Sequence, residues 1–285
     1  MNILLASNSR FLEATFTLIY SLAKTQSEKL HIYFLRGKDI EKKDIIKFKK
    51  LLNSLKIDLS IIDFSQFDFP SEVREALENK KLSIEAYFRL FSIPYIQEER
   101  ILWLDSDTIV QKDLKEFYHQ SFNEKFLVAC DSCDIEWSDA LKFSLTDCTK
   151  KRLHYFNSGV LLMNLNLLRC LDFFKFEGGN LLKKLIISFY KDIEWFDQGI
   201  LNLLFRFNTK YEDPLKYNCP TSWTFLSQDK SCFQHYEFLE NAYIIHFAGQ
   251  EKPWEENYSD PKKKEYYFKY NKELRQQFPD IFKPA

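Results

Sequence analysis

The chain has 285 residues, 45% hydrophobic and 28% charged, with a formal net charge of -1; this can fill a full core and gives no general attraction to nucleic acid. No apolar stretch approaches the roughly 20 residues needed to span a bilayer, and Met1-Asn2-Ile3 leads directly into a strand-like segment rather than a charged leader, so a cytoplasmic protein is expected. The six cysteines stand in unrelated contexts, and the pair Cys130 and Cys133 lacks the second close pair that zinc would want, so reduced thiols are expected.

In chain order, residues 2–6 read as a short buried strand, followed by the polar turn 7–10 and a helical pattern over 11–22. Residues 31–35 form a second expected strand, 41–55 a second amphipathic helix and 59–63 a third strand. Strands alternating with helices predict an α/β fold with a largely parallel sheet. A helix over 83–91 stops near Pro94, and 101–104 is the strand that ends at Asp105-Ser106-Asp107. Beyond it, 127–130 and 160–164 read as strands, 180–189 and 197–205 as helices, and 243–246 as a late short strand. Residues 255–285 are charged and aromatic and predict a terminal helix or arm.

Residues i and i+2 of an extended chain project to one face. Asp105 and Asp107 can therefore approach one hard divalent cation through oxygen, although acidic pairs also occur in solvated turns. With only 6 glycines in the chain, those in polar contexts mark tight turns or close approaches. Asn157-Ser158-Gly159 puts an amide and a hydroxyl just before a buried strand. Asp197-Gln198-Gly199 stands at a helix start, where capping and ligand binding are both open. His246 ends an apolar strand; it is either structural or a third ligand beside the two aspartates. Lys252 before Pro253-Trp254 is either a solvated lysine or a point charge for a phosphate.

Four segments arrive in an order that resembles glycosyltransferase family 8, the group of glycogenin and the bacterial lipooligosaccharide galactosyltransferases: 102–110 (LWLDSDTIV), 155–164 (YFNSGVLLMN), 196–202 (FDQGILN) and 246–254 (HFAGQEKPW). The helix 83–94, with Tyr87 and Arg89, is similar to the one that precedes the family's acidic pair. The resemblance implies a GT-A fold, with a Rossmann-like catalytic domain over 1–254 and a charged, aromatic helical tail over 255–285. It implies a retaining hexosyltransferase that takes glucose or galactose from a UDP-sugar to a glycan or glycolipid acceptor such as lipopolysaccharide.

In that scheme Asp105, Asp107 and His246 hold Mn2+ or Mg2+. Ala6, Ser7 and Asn8 lie against the uridine, with Ser106 and Gly249 completing the donor site. Arg89 and Asn157 face the donor sugar or phosphates, Asp197 and Gln198 lie beneath the sugar ring, and Lys252 stabilises the leaving UDP. Gln198 stands where the family's candidate nucleophile sits, yet an amide is a poor nucleophile, which favours front-face attack by the acceptor hydroxyl. Asn8 and Phe11 depart from the acid and tyrosine common in the first turn, and Trp103 replaces a frequent tyrosine as an expected packing variation. The segment 131–153, with Trp137 and Phe143, is expected on the acceptor side. The basic aromatic tail suits contact with an anionic membrane surface, diluted by Glu255, Glu256 and Asp260. Two other readings fit the same residues: a non-catalytic nucleotide-sugar or carbohydrate-binding module, and glycogenin-like self-glucosylation.

Overall fold

Successive residues of the central strands bury alternately on two faces, so one sheet divides two cores. The computed structural model describes residues 1–79, 83–132, 154–175, 179–191, 196–221 and 232–283. The strands are β1 (Asn2–Ser7), β2 (His31–Arg36), β3 (Asp58–Asp63), β4 (Arg100–Leu104), β5 (Thr108–Val110), β6 (Leu127–Asp131), β7 (Phe156–Asn164), β8 (Thr209–Glu212), β9 (Cys219–Pro220) and β10 (Ile244–His246). The helices are α1 (Leu12–Thr25), α2 (Lys42–Ser54), α3 (Ser71–Asn79), α4 (Glu85–Phe91), α5 (Lys115–His119), α6 (Leu165–Leu168), α7 (Gly179–Phe189), α8 (Phe196–Phe205), α9 (Pro214–Tyr217), α10 (Cys232–Asn241), α11 (Pro261–Gln277) and α12 (Pro279–Phe282).

Seven strands form the main sheet in the order β3-β2-β1-β4-β7-β6-β8, and β5-β10-β9 form a second sheet of three. Strand β7 runs antiparallel to both β4 and β6, while the remaining pairs of the main sheet are parallel. The sheet is therefore mixed and mostly parallel. Strand β7 also begins at Phe156 rather than Val160, so Asn157, Ser158 and Gly159 lie within the strand and not before it. Their polar side chains broke the apolar run that marks a buried strand in the sequence.

Ile3, Leu5, Leu102, Leu104, Val160 and Leu162 face the core shared with α1, α2 and α11. Leu4, Ala6, Ile101, Trp103, Leu161 and Met163 face the core under α3, α4, α7 and α8. Helix α2 starts with a reciprocal cap between Glu41 and Asp44 and buries Phe48, Leu51 and Leu52. Helix α3 was not anticipated from the sequence, although Val73 and Leu77, one turn apart, both bury.

Helix α11 starts at Pro261, with the Asp260 carboxylate accepting the N–H groups of Lys262 and Lys263. It docks on α1: Tyr267 and Leu274 are buried, Asn271 Nδ2 donates to Glu13 (2.9 Å), and Arg275 reaches the same carboxylate at 2.6 Å. Cys170 and Cys219 are free thiols, and Cys130 Sγ donates to Asp213 O (3.8 Å). Residues 133–153, including Cys133, Trp137 and Phe143, lie outside the described residues.

Candidate metal and diphosphate site

The acidic pair sits between the two sheets, where β4 ends and β5 begins. Asp105 N–H donates to Gly159 O (2.8 Å), tying the end of β4 to β7. Ser106 Oγ donates to Ala6 O (2.9 Å) and accepts from Thr15 Oγ1 (3.0 Å), so the same turn is fixed to β1 and α1. Three residues on, β5 pairs antiparallel with β10 so that Thr108 stands opposite His246. Phe247 N–H also donates to Asp107 O (2.9 Å). This register brings a histidine 139 positions away in sequence to the carboxylates: His246 Nε2 lies 3.3 Å from Asp107 Oδ1 and 4.0 Å from Asp105 Oδ2.

One ligand atom from each of Asp105, Asp107 and His246 lies within 4.8 Å of the others. Two carboxylates and an imidazole suit a borderline-hard divalent cation such as manganese. Burial and the neighbouring Asp107 lift the Asp105 carboxyl above its ordinary range, against the pull of Arg89. Burial acts on Asp107 the same way, but the Lys252 ammonium and His246 outweigh it and hold that carboxyl well below the usual range. Lys252 Nζ stands 2.5 Å from Asp107 Oδ2 and donates to Phe247 O (3.0 Å). Gly249, in the turn between them, has φ +102°, a conformation that a side chain would strain. Trp254 meets Phe11 edge to face (5.4 Å between centroids), which joins the Lys252-Pro253-Trp254 turn to the loop after β1.

That loop carries Ser7, whose Oγ donates to Asn8 O (2.9 Å), and Asn8, whose Oδ1 caps the short turn 9–11 by accepting Phe11 N–H (3.2 Å). Phe11 N–H leaves a further lone pair on that oxygen.

Arg89 forms a second hub and is 1% exposed. Its Nε donates to Ala86 O, its Nη1 to Ser158 O (2.5 Å), and its Nη2 pairs with Asp197. The guanidinium lies 3.7 Å from Asp105 and 4.4 Å from the Trp103 ring centroid. The Trp103 indole N–H donates to Asp105 Oδ1 (2.7 Å). Trp103 is thus more than a packing variation: its indole N–H is a donor held on the acidic pair.

Gln198 Oε1 accepts the Ser158 N–H (3.0 Å), so α8 is pinned to β7 through the first two residues of its motif. Asp197 faces Arg89 and Ser158 Oγ (3.4 Å).

The structure therefore gathers Asp105, Asp107, His246, Lys252 and Asn157 in one corner, with Arg89, Asp197 and Gln198 beside it. Ala6 and Ser7 end the neighbouring β1, and Asn8 follows it. Asn218, absent from the sequence reading, also belongs there: its Nδ2 donates to Asn157 Oδ1 (2.9 Å) and its Oδ1 meets His246 Nδ1 (2.8 Å). An asparagine ahead of Cys219-Pro220, two residues of strand without periodicity, gave no pattern to find it by.

Residues 2–258 match the model of a family described as Glycosyl transferase family 8. A protein of Streptococcus gordonii named glycosyl transferase Gly is 30% identical over 179 residues, 61% of this chain and 22% of the relative. The lipopolysaccharide 1,2-glucosyltransferase of Escherichia coli K12 is 31% identical over 176 residues, 59% of this chain and 48% of that one. The matched chain thus spans less than half the length of either relative. The crystal structure of galactosyltransferase LgtC with donor and acceptor sugar analogues aligns at TM-score 0.73 and 19% identity, covering 99% of this chain and 100% of that one. The fold is GT-A, as the sequence motifs implied.

Proposed function

Since this chain belongs to glycosyl transferase family 8 and is a glycosyltransferase, we propose that it moves a hexose, glucose or galactose, from a UDP-sugar to a glycan acceptor with retention at the anomeric carbon. The observation that carries the reading is the convergence of Asp105, Asp107 and His246 within 4.8 Å, with the Lys252 ammonium against Asp107. These three side chains would hold a divalent cation, Mn2+ in this reading, which when bound supplies positive charge to a diphosphate. Lys252 adds a charge of its own for the leaving UDP. The ends of β1 and β4, where open α/β sheets collect ligands, favour Ala6, Ser7 and Asn8 as the nucleoside side.

The hydrogen bonding supports direct attack over an enzyme nucleophile. Gln198 Oε1 is held by the Ser158 N–H, and Asp197, 8% exposed, is held by Arg89. Approach of Gln198 Oε1 or Asp197 Oδ2 to an anomeric carbon would break those bonds. In front-face transfer the bond from C1 to the phosphate oxygen breaks as the bond from C1 to the acceptor oxygen forms on the same face. The hydroxyl proton passes to the departing phosphate, and the electron pair of the broken bond stays on UDP. Asp197, Gln198 and Asn157 line the side on which positive charge develops on the sugar. A covalent glycosyl adduct trapped on Gln198 or Asp197 would overturn this route.

The acceptor reading is a cell-surface glycoconjugate such as lipopolysaccharide, supported by the name of the Escherichia coli relative. No helix of the described residues is long and apolar enough to cross a membrane, and a cytoplasmic enzyme working at the membrane face suits such an acceptor. On α11, Lys263, Lys264 and Arg275 are engaged by Thr221, Glu255 and Glu13; the exposed Lys269 and Lys272, with Lys262 over the Tyr236 ring at 4.0 Å, are the lysines that would meet anionic lipid. At about 1 kcal/mol per lysine, that contact is weak and salt-sensitive, and sedimentation with anionic but not neutral vesicles tests it.

The decisive experiment is a panel of UDP-sugars assayed for Mn2+-dependent UDP release. Turnover of a UDP-hexose that disappears in Asp107→Ala is expected; release unaffected by that substitution, or by chelation, would refute the reading.

A further inference from the structure

We propose that Asn218 is a positioning residue that fixes the tautomer of His246, so that Nε2 keeps its lone pair facing Asp105 and Asp107. The proposal rests on the reading of those three residues as a metal site. Its starting point is a donor whose identity is beyond dispute, the backbone N–H of Gly159, which bonds the Asn157 side chain at 2.9 Å. The atom it meets must be an acceptor, so it is Asn157 Oδ1 and not Nδ2. The same Oδ1 receives the Asn218 amide at 2.9 Å. Asn218 must therefore present Nδ2 there, which turns its Oδ1 the other way.

Asn218 Oδ1 lies 2.8 Å from His246 Nδ1. An amide oxygen only accepts, so Nδ1 carries the proton, and in the neutral ring the lone pair is left on Nε2. The opposite tautomer would require Asn218 to flip, which would set two amide oxygens against each other at Asn157. Both partners are shut away from water that could stand in, with Asn218 3% and His246 4% exposed. The strand pairing sets the geometry: Cys219 and Pro220 lie beside Ile245 and His246 in register, and Thr221 N–H donates to His246 O (2.9 Å). Gly159 completes the device, because a Cβ there would stand 2.3 Å from His246 Cε1. A ligating histidine whose other nitrogen is fixed in this way is oriented and more basic, and loss of such a partner costs about 10–100-fold in metal affinity.

Two measurements test it. Nitrogen-15 NMR of the unsubstituted protein in metal-free buffer, raised in pH until the ring is neutral and assigned through H246Q, should show that Nε2 loses its proton while Nδ1 stays protonated and pyrrole-type. Calorimetric titration with Mn2+ alone should show Asn218→Leu weakened about 10–100-fold. The reversed tautomer, or a folded Asn218→Leu variant with undiminished Mn2+ affinity, would overturn the proposal while leaving the metal site standing. If Asn218→Leu fails to fold, the NMR assignment decides. An unsubstituted protein that binds no Mn2+ would remove the metal reading and this proposal together.

Discussion

Replacing Lys252 with methionine should tighten metal binding while it damages turnover, a pair of opposite effects that few other positions could give. The ammonium lies 2.5 Å from Asp107 Oδ2, and the two side chains are 11% and 12% exposed. Removing one partner of a buried ion pair leaves about 3–5 kcal/mol uncompensated. A divalent cation at the same carboxylate recovers part of that. If a third is recovered, about 1.4 kcal/mol, Mn2+ affinity rises about tenfold. The charge that Lys252 offers a leaving diphosphate is lost, and deleting one such stabilising group costs about 10²–10³ in kcat. Calorimetry with Mn2+ alone gives the first quantity, and steady-state UDP release at saturating Mn2+ gives the second. The variant should also gain more thermal stability from Mn2+ than the unsubstituted protein does. Mn2+ affinity that is unchanged or weaker in folded Lys252→Met would refute the idea that the ammonium occupies Asp107 in competition with a metal.

Gly159→Ala should fold, since β7 tolerates a side chain by backbone conformation. The new Cβ would displace the His246 ring, from which it would stand 2.3 Å, and equilibrium dialysis should record about a tenfold or greater loss of Mn2+ affinity; retention of full affinity would show that the ring has room. Because burial raises the Asp105 carboxyl above its ordinary range, a proton competes with a metal for it sooner on acidification than at a solvated aspartate. Affinity should fall as pH drops through that raised value, with protons released on binding in acidic buffer. Calorimetry in buffers of differing ionisation enthalpy measures it, and binding without proton release at any pH would contradict it. Asp107 behaves oppositely: its depressed value means that its contribution to stability is present above the ordinary carboxylate range and lost only in strong acid. Leu274→Ala, at a fully buried position of α11, should cost about 2–5 kcal/mol in urea unfolding, whereas a loosely appended arm would give a loss well under about 1 kcal/mol.

Six strands of the main sheet were legible because they carry apolar runs, and the motif aspartates fall where β4 stops; the edge strand β8, Thr-Lys-Tyr-Glu, carries no such run and was not anticipated. Strand direction was not legible, because a residue alternation is the same read either way; β7 turned out antiparallel to both neighbours. The second sheet was the larger gap. Its strands are two or three residues long, too short for any period, and only β10 was anticipated, from the apolar run before His246; yet the sheet's register is what sets His246 opposite Thr108 and Asn218 behind the imidazole. His246 could be found from the family motif around it. Asn218 could not, since its role follows from a hydrogen-bond direction that starts at the backbone of Gly159. Trp103 and Arg89 were visible as residues but not in their geometry: one donates to Asp105, and the other has its nitrogens committed to Ala86, Ser158 and Asp197.

The charges in this corner also suggest an order of assembly. Asp105, Asp107 and Asp197 face Arg89 and Lys252, which leaves the pocket one unit negative when every carboxyl is ionised. A pocket of that sign attracts a divalent cation and repels a diphosphate. With the cation present the same pocket is one unit positive, and the preference reverses. Arg89 is buried with its donors engaged by Ala86, Ser158 and Asp197; among the described residues Lys252 is the cation placed to swing from a carboxylate to a phosphate once Asp107 has another partner. Donor binding should therefore depend steeply on metal. UDP titrated without a divalent ion should bind far more weakly than with Mn2+, and that dependence should shrink in Asp107→Asn, where one negative charge is already gone.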